Sequence, residues 1–231
     1  MTKVPVKLRL AKYLAQAGIA ARRKAELLIL AGGVSVNGQV EKKVATNIDP
    51  NIDEIKFDGH KLQTENKVYY VLHKPVGYVC SLDDAHNKNK VTDLLPAEEK
   101  IWPVGRLDKD SSGLLILTND GELTNLLTHP RYAKPKKYQV TVNKKFVAQD
   151  ASLLESGIEL EEGLARVDKI KIISDNNIEI ILHQGWKRQI RRMLSAIGYR
   201  VINLVRVQEG KLILGDLPLG QYKKINKDDI I

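Results

Sequence analysis

The chain has a single cysteine, Cys80, and therefore no internal disulfide. No Cys/His cluster has metal-ligand spacing, which points to a reducing compartment and to chemistry without a metal. Cys80 itself reads as a small core residue. Nowhere does an apolar run approach the ~20 residues that a membrane helix needs. The opening "MTKVPVKLRLAKYL" has no long apolar stretch followed by a small-residue cleavage site. The expected location is the cytoplasm, with no membrane partner. Aromatic residues are scarce as well, at 5% of the chain. Positive charge is not scarce: 37 Lys+Arg stand against 28 Asp+Glu, for a net +9 and a pI near 9.4. That surplus favours a polyanionic partner, most commonly nucleic acid.

With 231 residues and 43% hydrophobic content, the chain can bury a real core in one domain or two. Residues 7 to 30 hold two helical patterns, "KLRLAKYLAQAG" and "ARRKAELLILAGG", split by Gly18 and stopped by Gly32-Gly33. In "VSVNGQV", Val34 and Val36 alternate with polar residues before an Asn37-Gly38 turn; in "DEIKFDGHKL", Ile55 and Phe57 do so before Asp58-Gly59. This predicts a first domain, residues 1–64, of two helices and a small antiparallel sheet, ended by the polar "QTEN". The second domain, 65–231, has more strands than helices: "VYYVLHKP", "GLLILT", "KKYQVTV", "RVDKIKII" and "NIEIILHQG". Asp120 is placed to cap a short helix over "DGELTNLLTHP", and "KRQIRRMLSAIG" puts Ile190, Met193, Leu194 and Ile197 on one helical face. Strands and helices do not alternate regularly, so the class is α+β.

Two basic segments stand out. Arg22, Arg23 and Lys24 open the second helix, and Lys42 and Lys43 follow the Asn37-Gly38 turn. Cations at a helix N-terminus oppose its dipole at a cost of ~0.5 kcal/mol unless an anion offsets them, so a bound phosphate is one reading and a solvated charged face the other. Lys187, Arg188, Arg191 and Arg192 crowd four more cations into two turns with no interleaved acid. An RNA backbone, a buried carboxylate, or both would answer them.

The stretch "LRLAKYLAQAGIAARRKAELLILAGGVSVNGQV" resembles an S4 domain, the small αL-like RNA-binding module. The resemblance implies that the arginine pair and the V-x-V-N-G hairpin hold structured RNA through its backbone, which assigns RNA contacts to Arg22, Arg23, Lys24, Lys42 and Lys43. Ala21 departs from the Ser or Thr usual before the pair, so the helix start is expected to be looser or capped otherwise.

Farther along, "GRLDKDSSGLLILTNDGEL", "KKYQV" and "HQGWKRQIRRMLSAIGYRVINLVRVQEGKLILGDL", in this order behind an S4 domain, closely resemble the RsuA/RluB branch of the RNA pseudouridine synthases. This implies a mixed, mainly antiparallel sheet with flanking helices. It implies that Asp108 is the catalytic aspartate, which attacks the ribose at C1′ or assists in forming a glycal. Tyr138 would stack on the target base and serve as a candidate base for the C2′ proton. Arg191 would pair with the aspartate, and Leu204 would pack beneath the base. Arg106 falls on the family arginine, with a role in the vacated nucleotide position or the motif loop; a local salt bridge is the alternative. Lys187, Arg188 and Arg192 are taken as further substrate contacts, and Asp110 as a turn or cap group. Gln184, Trp186 and Lys187 replace the frequent E-G-R-N. His73, His129 and His183 read as structural or RNA-facing.

Chemistry supports these roles on its own terms. Detaching uracil and rejoining it through C5 needs a carboxylate near C1′ and an apolar or aromatic wall, with no redox or metal cofactor. The uridine must be flipped from its stack, which basic contacts offset. The expected substrate is ribosomal RNA recognised as a structured stem-loop, with 23S (large-subunit) rRNA preferred over 16S (small-subunit) rRNA, and the chain acting as a monomer. Two rivals remain. A non-catalytic S4 assembly factor would need a degenerate motif. A glycosidase using Asp108 and Asp110 would need an aromatic-lined sugar groove.

Overall fold

The computed structural model describes residues 7–81, 89–96 and 100–231. The chain divides into two compact units, Met1–Lys67 and Val68–Ile231. The division falls three residues after the end expected from "QTEN". Val68 is already tied to the second unit: its N–H donates to Asn119 Oδ1 at 2.9 Å and its carbonyl accepts from Thr118 Oγ1 at 2.6 Å.

In the first unit, helices Leu10–Gln16 and Arg22–Leu30 pack through Leu10, Leu14, Ala25 and Ile29. Beside them lies a four-stranded antiparallel sheet in the order Gln39–Val40, Val34–Val36, Ile55–Phe57, His60–Lys61. Both hairpin turns place two successive residues at positive φ, Asn37 (50°) with Gly38 (84°) and Asp58 (46°) with Gly59 (79°). This left-handed pair matches the strand twist, and Asn, Asp and Gly adopt it most readily. A pairing of Leu8–Arg9 with Asn47–Ile48, too short to read from sequence, ties the N-terminal strand to the loop after the hairpin.

The second unit is built on a mixed sheet. Its main path runs Lys169–Ser174, Asn177–Leu182, Lys136–Val142, Val201–Glu209, Ser112–Thr118, Tyr69–Lys74, Tyr222–Lys224. Every neighbour on this path is antiparallel except Val201–Glu209 with Ser112–Thr118, which run parallel. Ser112–Thr118 is buried along its whole length. Leu115 and Leu117 feed one core and Leu114 and Ile116 the other, so the continuous apolar run reflects a strand covered on both faces. Asp120 caps helix Gly121–Thr128 by accepting from the N–H groups of Glu122 and Leu123. No signal in the sequence pointed to helix Ala148–Ser156, to the hairpin Ile158–Leu160/Gly163–Ala165 or to the edge strand Tyr222–Lys224.

Candidate active site

The segment from Gly105 to Ser111 is an irregular loop that delivers the chain into Ser112–Thr118. It is pinned from the end of the neighbouring strand. The Lys74 ammonium, fully buried, donates to the carbonyls of Asp108 at 3.1 Å, Ser111 at 2.7 Å and Pro75 at 3.0 Å. Gly77 N–H donates to the Lys109 carbonyl at 2.7 Å, and Cys80 Sγ lies 3.4 Å from Leu107 N. Burial pulls the Lys74 pKa down, and the nearby Asp108 and Asp110 charges oppose that. A one-residue kink is built into the strand start. Gly113 has φ +112°, and a Cβ there would meet the Arg206 carbonyl oxygen at 2.3 Å, so only glycine lets the parallel strands approach.

The loop opens onto a cleft of about 690 Å³. Half-buried Asp108 lines it together with Tyr138, Leu182, Leu204 and Arg206 from the sheet, and with Trp186, Lys187 and Arg188 from the segment before helix Gln189–Ala196. Tyr138 and Leu204 are buried, Arg106 is exposed at the edge, and Lys187 and Arg188 are exposed on the far wall. Burial raises the Tyr138 pKa, and Arg206 acts against that rise. Gln189 shapes the wall: its Nε2 donates to Gln184 Oε1 at 2.8 Å and its Oε1 accepts from Trp186 N–H at 3.2 Å.

The arginines do not sit as the motif spacing suggested. Lys187 and Arg188 precede the helix, because Arg188 takes a left-handed conformation (φ 53°, ψ 31°) at its N-cap. From there Arg188 Nη1 donates to Asp110 Oδ1 at 2.7 Å. Arg191, expected on Asp108, instead pairs with Asp110: its Nε lies 3.4 Å from Asp110 Oδ2 and its Nη2 donates to the Asp110 carbonyl at 2.8 Å. Asp108 reaches Arg191 only as a more distant charge. Asp110 is therefore the clasp between loop and helix and not a simple turn residue. Burial disfavours its charge, yet Arg188 and Arg191 outweigh that and hold its pKa below the usual carboxylate range. Arg192 is turned away onto Glu162, in a bidentate pair at 2.7 and 2.8 Å. Carboxylates thus answer three of these four cations; Lys187 and Arg106 have none among the described residues.

Residues 68–196 match the RNA pseudouridylate synthase family and residues 8–51 the S4 domain. The chain belongs to the RNA pseudouridine synthases. An RNA pseudouridine synthase of Aquifex aeolicus is 38% identical, over 97% of this chain and 93% of its own. The ribosomal large subunit pseudouridine synthase B of Bacillus subtilis is 39% identical, with 96% and 93% covered. A crystal structure of a pseudouridylate synthase superposes with a TM-score of 0.69 at 30% identity, covering 96% of this chain and 97% of that one. RNA is accordingly the substrate of this synthase.

In the S4 unit, Arg22, Arg23 and Lys24 are exposed in the first turn of their helix, which has no side-chain cap at Ala21 and no acid in that turn. Lys42 lies against Gly32, just past the other end of the same helix, so the two basic groups flank it end to end. Four residues of the synthase unit escaped the sequence reading: Lys74, Lys136, Arg206 and Glu209. For Lys74, Arg206 and Glu209 the signal was a charged residue within an apolar strand pattern, "VLHKP" and "LVRVQE"; Lys136, in "KKYQV", had none.

Proposed function

We propose that this synthase isomerises one uridine of ribosomal RNA, in the 23S (large-subunit) molecule. The observation that carries the reading is that Asp108 lines one cleft together with the buried Tyr138 and Leu204. In this scheme Asp108 engages C1′ of the flipped nucleotide while the N1–C1′ bond breaks. The freed uracil stays between Tyr138 and Leu204, turns, and rejoins C1′ through C5 as the Asp108 carboxylate departs; C5 loses a proton and N1 gains one, so the product is an isomer. Arg191, linked to the loop through Asp110, keeps a positive charge near Asp108. Arg106, Lys187 and Arg188 hold phosphates at the rim. Arg22, Arg23, Lys24, Lys42 and Lys43 of the S4 unit hold the backbone of the stem-loop by its shape. The large-subunit choice is supported by the B. subtilis relative, whose name specifies that subunit.

The test is pseudouridine mapping by reverse-transcription stops after carbodiimide labelling, on unmodified rRNA treated with the enzyme. One new stop in large-subunit RNA is expected. A stop in 16S rRNA alone keeps the chemistry and overturns the choice of substrate, and a stop in neither overturns the rRNA assignment.

A further inference from the structure

Tyr138 and Leu204 account for one base, but a second aromatic residue lines the cleft and has no part in the scheme above. Trp186 is half-buried there, packed at the edge of the core that holds Tyr138, Leu182, Ile190 and Leu204. The chain has two tryptophans. Trp102 lies opposite Thr118, at the end of strand Ser112–Thr118 away from the cleft, and its Nε1 donates to Thr124 Oγ1 at 3.1 Å. The Trp186 indole N–H has no partner among the described residues. Tryptophan usually satisfies that donor when it is buried, so this one remains available to a ligand.

Trp186 is held before any ligand arrives. Buried Gln189 accepts its backbone N–H on Oε1 at 3.2 Å and donates its own N–H to the Trp186 carbonyl at 3.2 Å. The far end of the ring, Cη2, stands beside Gly163, 3.9 Å from where a Cβ would be. The hairpin Ile158–Leu160/Gly163–Ala165 is tied in turn to helix Gln189–Ala196 by the bidentate pair of Arg192 with Glu162. A ring fixed in this way loses little conformational freedom when something packs on it. The next two residues suit the same ligand. Lys187 is exposed, and Arg188 commits only Nη1 to Asp110, with 43% of its side chain exposed. An aromatic platform beside exposed cations is the arrangement that takes single-stranded nucleic acid, stacking its bases and pairing with its phosphates.

The size of the cleft adds to this. At about 690 Å³ it matches sites for ligands well above one pyrimidine, so the flipped uracil alone does not fill it. The nucleotides joined to the target are the ones that a shared backbone brings there. We infer that Trp186 is a substrate-binding residue: its indole stacks on the unpaired base of one nucleotide flanking the target uridine, and Lys187 pairs with the phosphate beside it. The inference rests on the uridine reading of the cleft. Stacking does not read the identity of a base, because every base has a π-face. It does require the flanking base to be unpaired, so the synthase selects a uridine in a loop or bulge over one within a stem.

Trp102→Phe leaves Trp186 as the one tryptophan, so its fluorescence reports on this side chain alone. Saturating that variant with unmodified 23S or 16S rRNA transcript is expected to lower the emission about twofold and to shield it from acrylamide. Unchanged emission and quenching with RNA bound overturn the inference. A second readout uses stem-loops carrying the mapped uridine, with an abasic residue in place of its 5′ neighbour, its 3′ neighbour or the uridine itself. Loss of the emission change with one of the two neighbours is expected, and its retention with the abasic target. Retention with both neighbours, or loss only with the abasic target, overturns the inference. In turnover on the intact stem-loop, Trp186→Ala is expected to raise KM about 5- to 150-fold, as for one stacked base, with kcat within about threefold, and Trp186→Phe to stay within about threefold in both. A fall in kcat with KM unchanged overturns it. Wild-type enzyme that forms pseudouridine in neither rRNA removes the uridine reading separately, and the shielding of Trp186 by bound RNA still decides whether this ring takes a base.

Discussion

The Lys74 ammonium donates to the carbonyl of Asp108 at 3.1 Å, so a residue 34 positions earlier in the chain holds the backbone from which the cleft carboxylate projects. The same ammonium also takes the carbonyls of Ser111 and Pro75. One buried cation thereby reinforces a loop whose own backbone supplies only the Ser111 N–H to Asp108 carbonyl bond among the described contacts within it.

Replacing it with a side chain of similar length removes that support. Lys74→Met takes a donor from three carbonyls, of which that of Asp108 keeps the Ser111 N–H at 3.1 Å, and a buried unpaired acceptor costs ~1 to 3 kcal/mol. The variant is expected to lose about 3 kcal/mol in urea unfolding, and to lose pseudouridine formation by a larger factor than RNA binding.

Gly113→Ala is expected to be more damaging than its size suggests. The added methyl would stand 2.3 Å from the Arg206 carbonyl oxygen, on a residue whose φ of +112° L side chains rarely adopt. The parallel strand pair must then separate where it supports both Asp108 and Arg206. A loss of more than about 3 kcal/mol by urea unfolding is expected, large enough to leave little folded protein.

For Asp110 the effect depends on pH. Its folded-state pKa is depressed by Arg188 and Arg191 against the cost of burial. A carboxylate of this kind contributes stability above its unfolded pKa of about 3.9 and loses it as pH falls through the folded value. Its side chain is 43% exposed, so solvent screens the pairs and the contribution is expected under about 1 kcal/mol. Wild type is predicted to exceed Asp110→Asn in stability by a constant amount at neutral pH, with the difference shrinking as pH falls below about 4 and gone only below the depressed folded value. Thermal unfolding of both proteins across that range checks it.

The S4 assignment makes a prediction about salt. Arg22, Arg23 and Lys24 are exposed on one helical turn, so replacing all three with alanine removes up to three phosphate contacts without touching the core. The slope of log K against log salt is expected to flatten by about 2 to 3 for a duplex stem, since each contact adds about 0.9. An unchanged slope in a filter-binding titration would place the RNA elsewhere on this unit.

How far the sequence led can be judged from single elements. Ser112–Thr118, the Asp120 cap and the Asn37-Gly38 turn were legible because each is decided locally, by apolar continuity, a side-chain acceptor or a backbone preference. The cleft residues Asp108, Tyr138 and Leu204 came from resemblance, and the fold brings them to one pocket. Arg206 and Lys74 were missed because a charge in an apolar strand looks like a flaw in the pattern until its partners are known. Those partners are a carbonyl 92 residues away for Arg206 and one 37 away for Lys74. The Asp110 clasp was hidden for a different reason: motif spacing assumed that the helix began before Arg188, and its left-handed backbone turns that side chain back toward the loop.

In the proposed reaction the Asp108 carboxylate is the group that engages C1′. Loss of tritium from [5-³H]uridine-labelled rRNA reports the C5 proton released when C5 takes the sugar. Wild-type enzyme is predicted to release it, and Asp108→Asn to bind the same RNA with similar affinity while releasing tritium at least about 10³-fold more slowly, as expected when a nucleophile is removed from an intact site. Release by Asp108→Asn within tenfold of wild type would contradict the account.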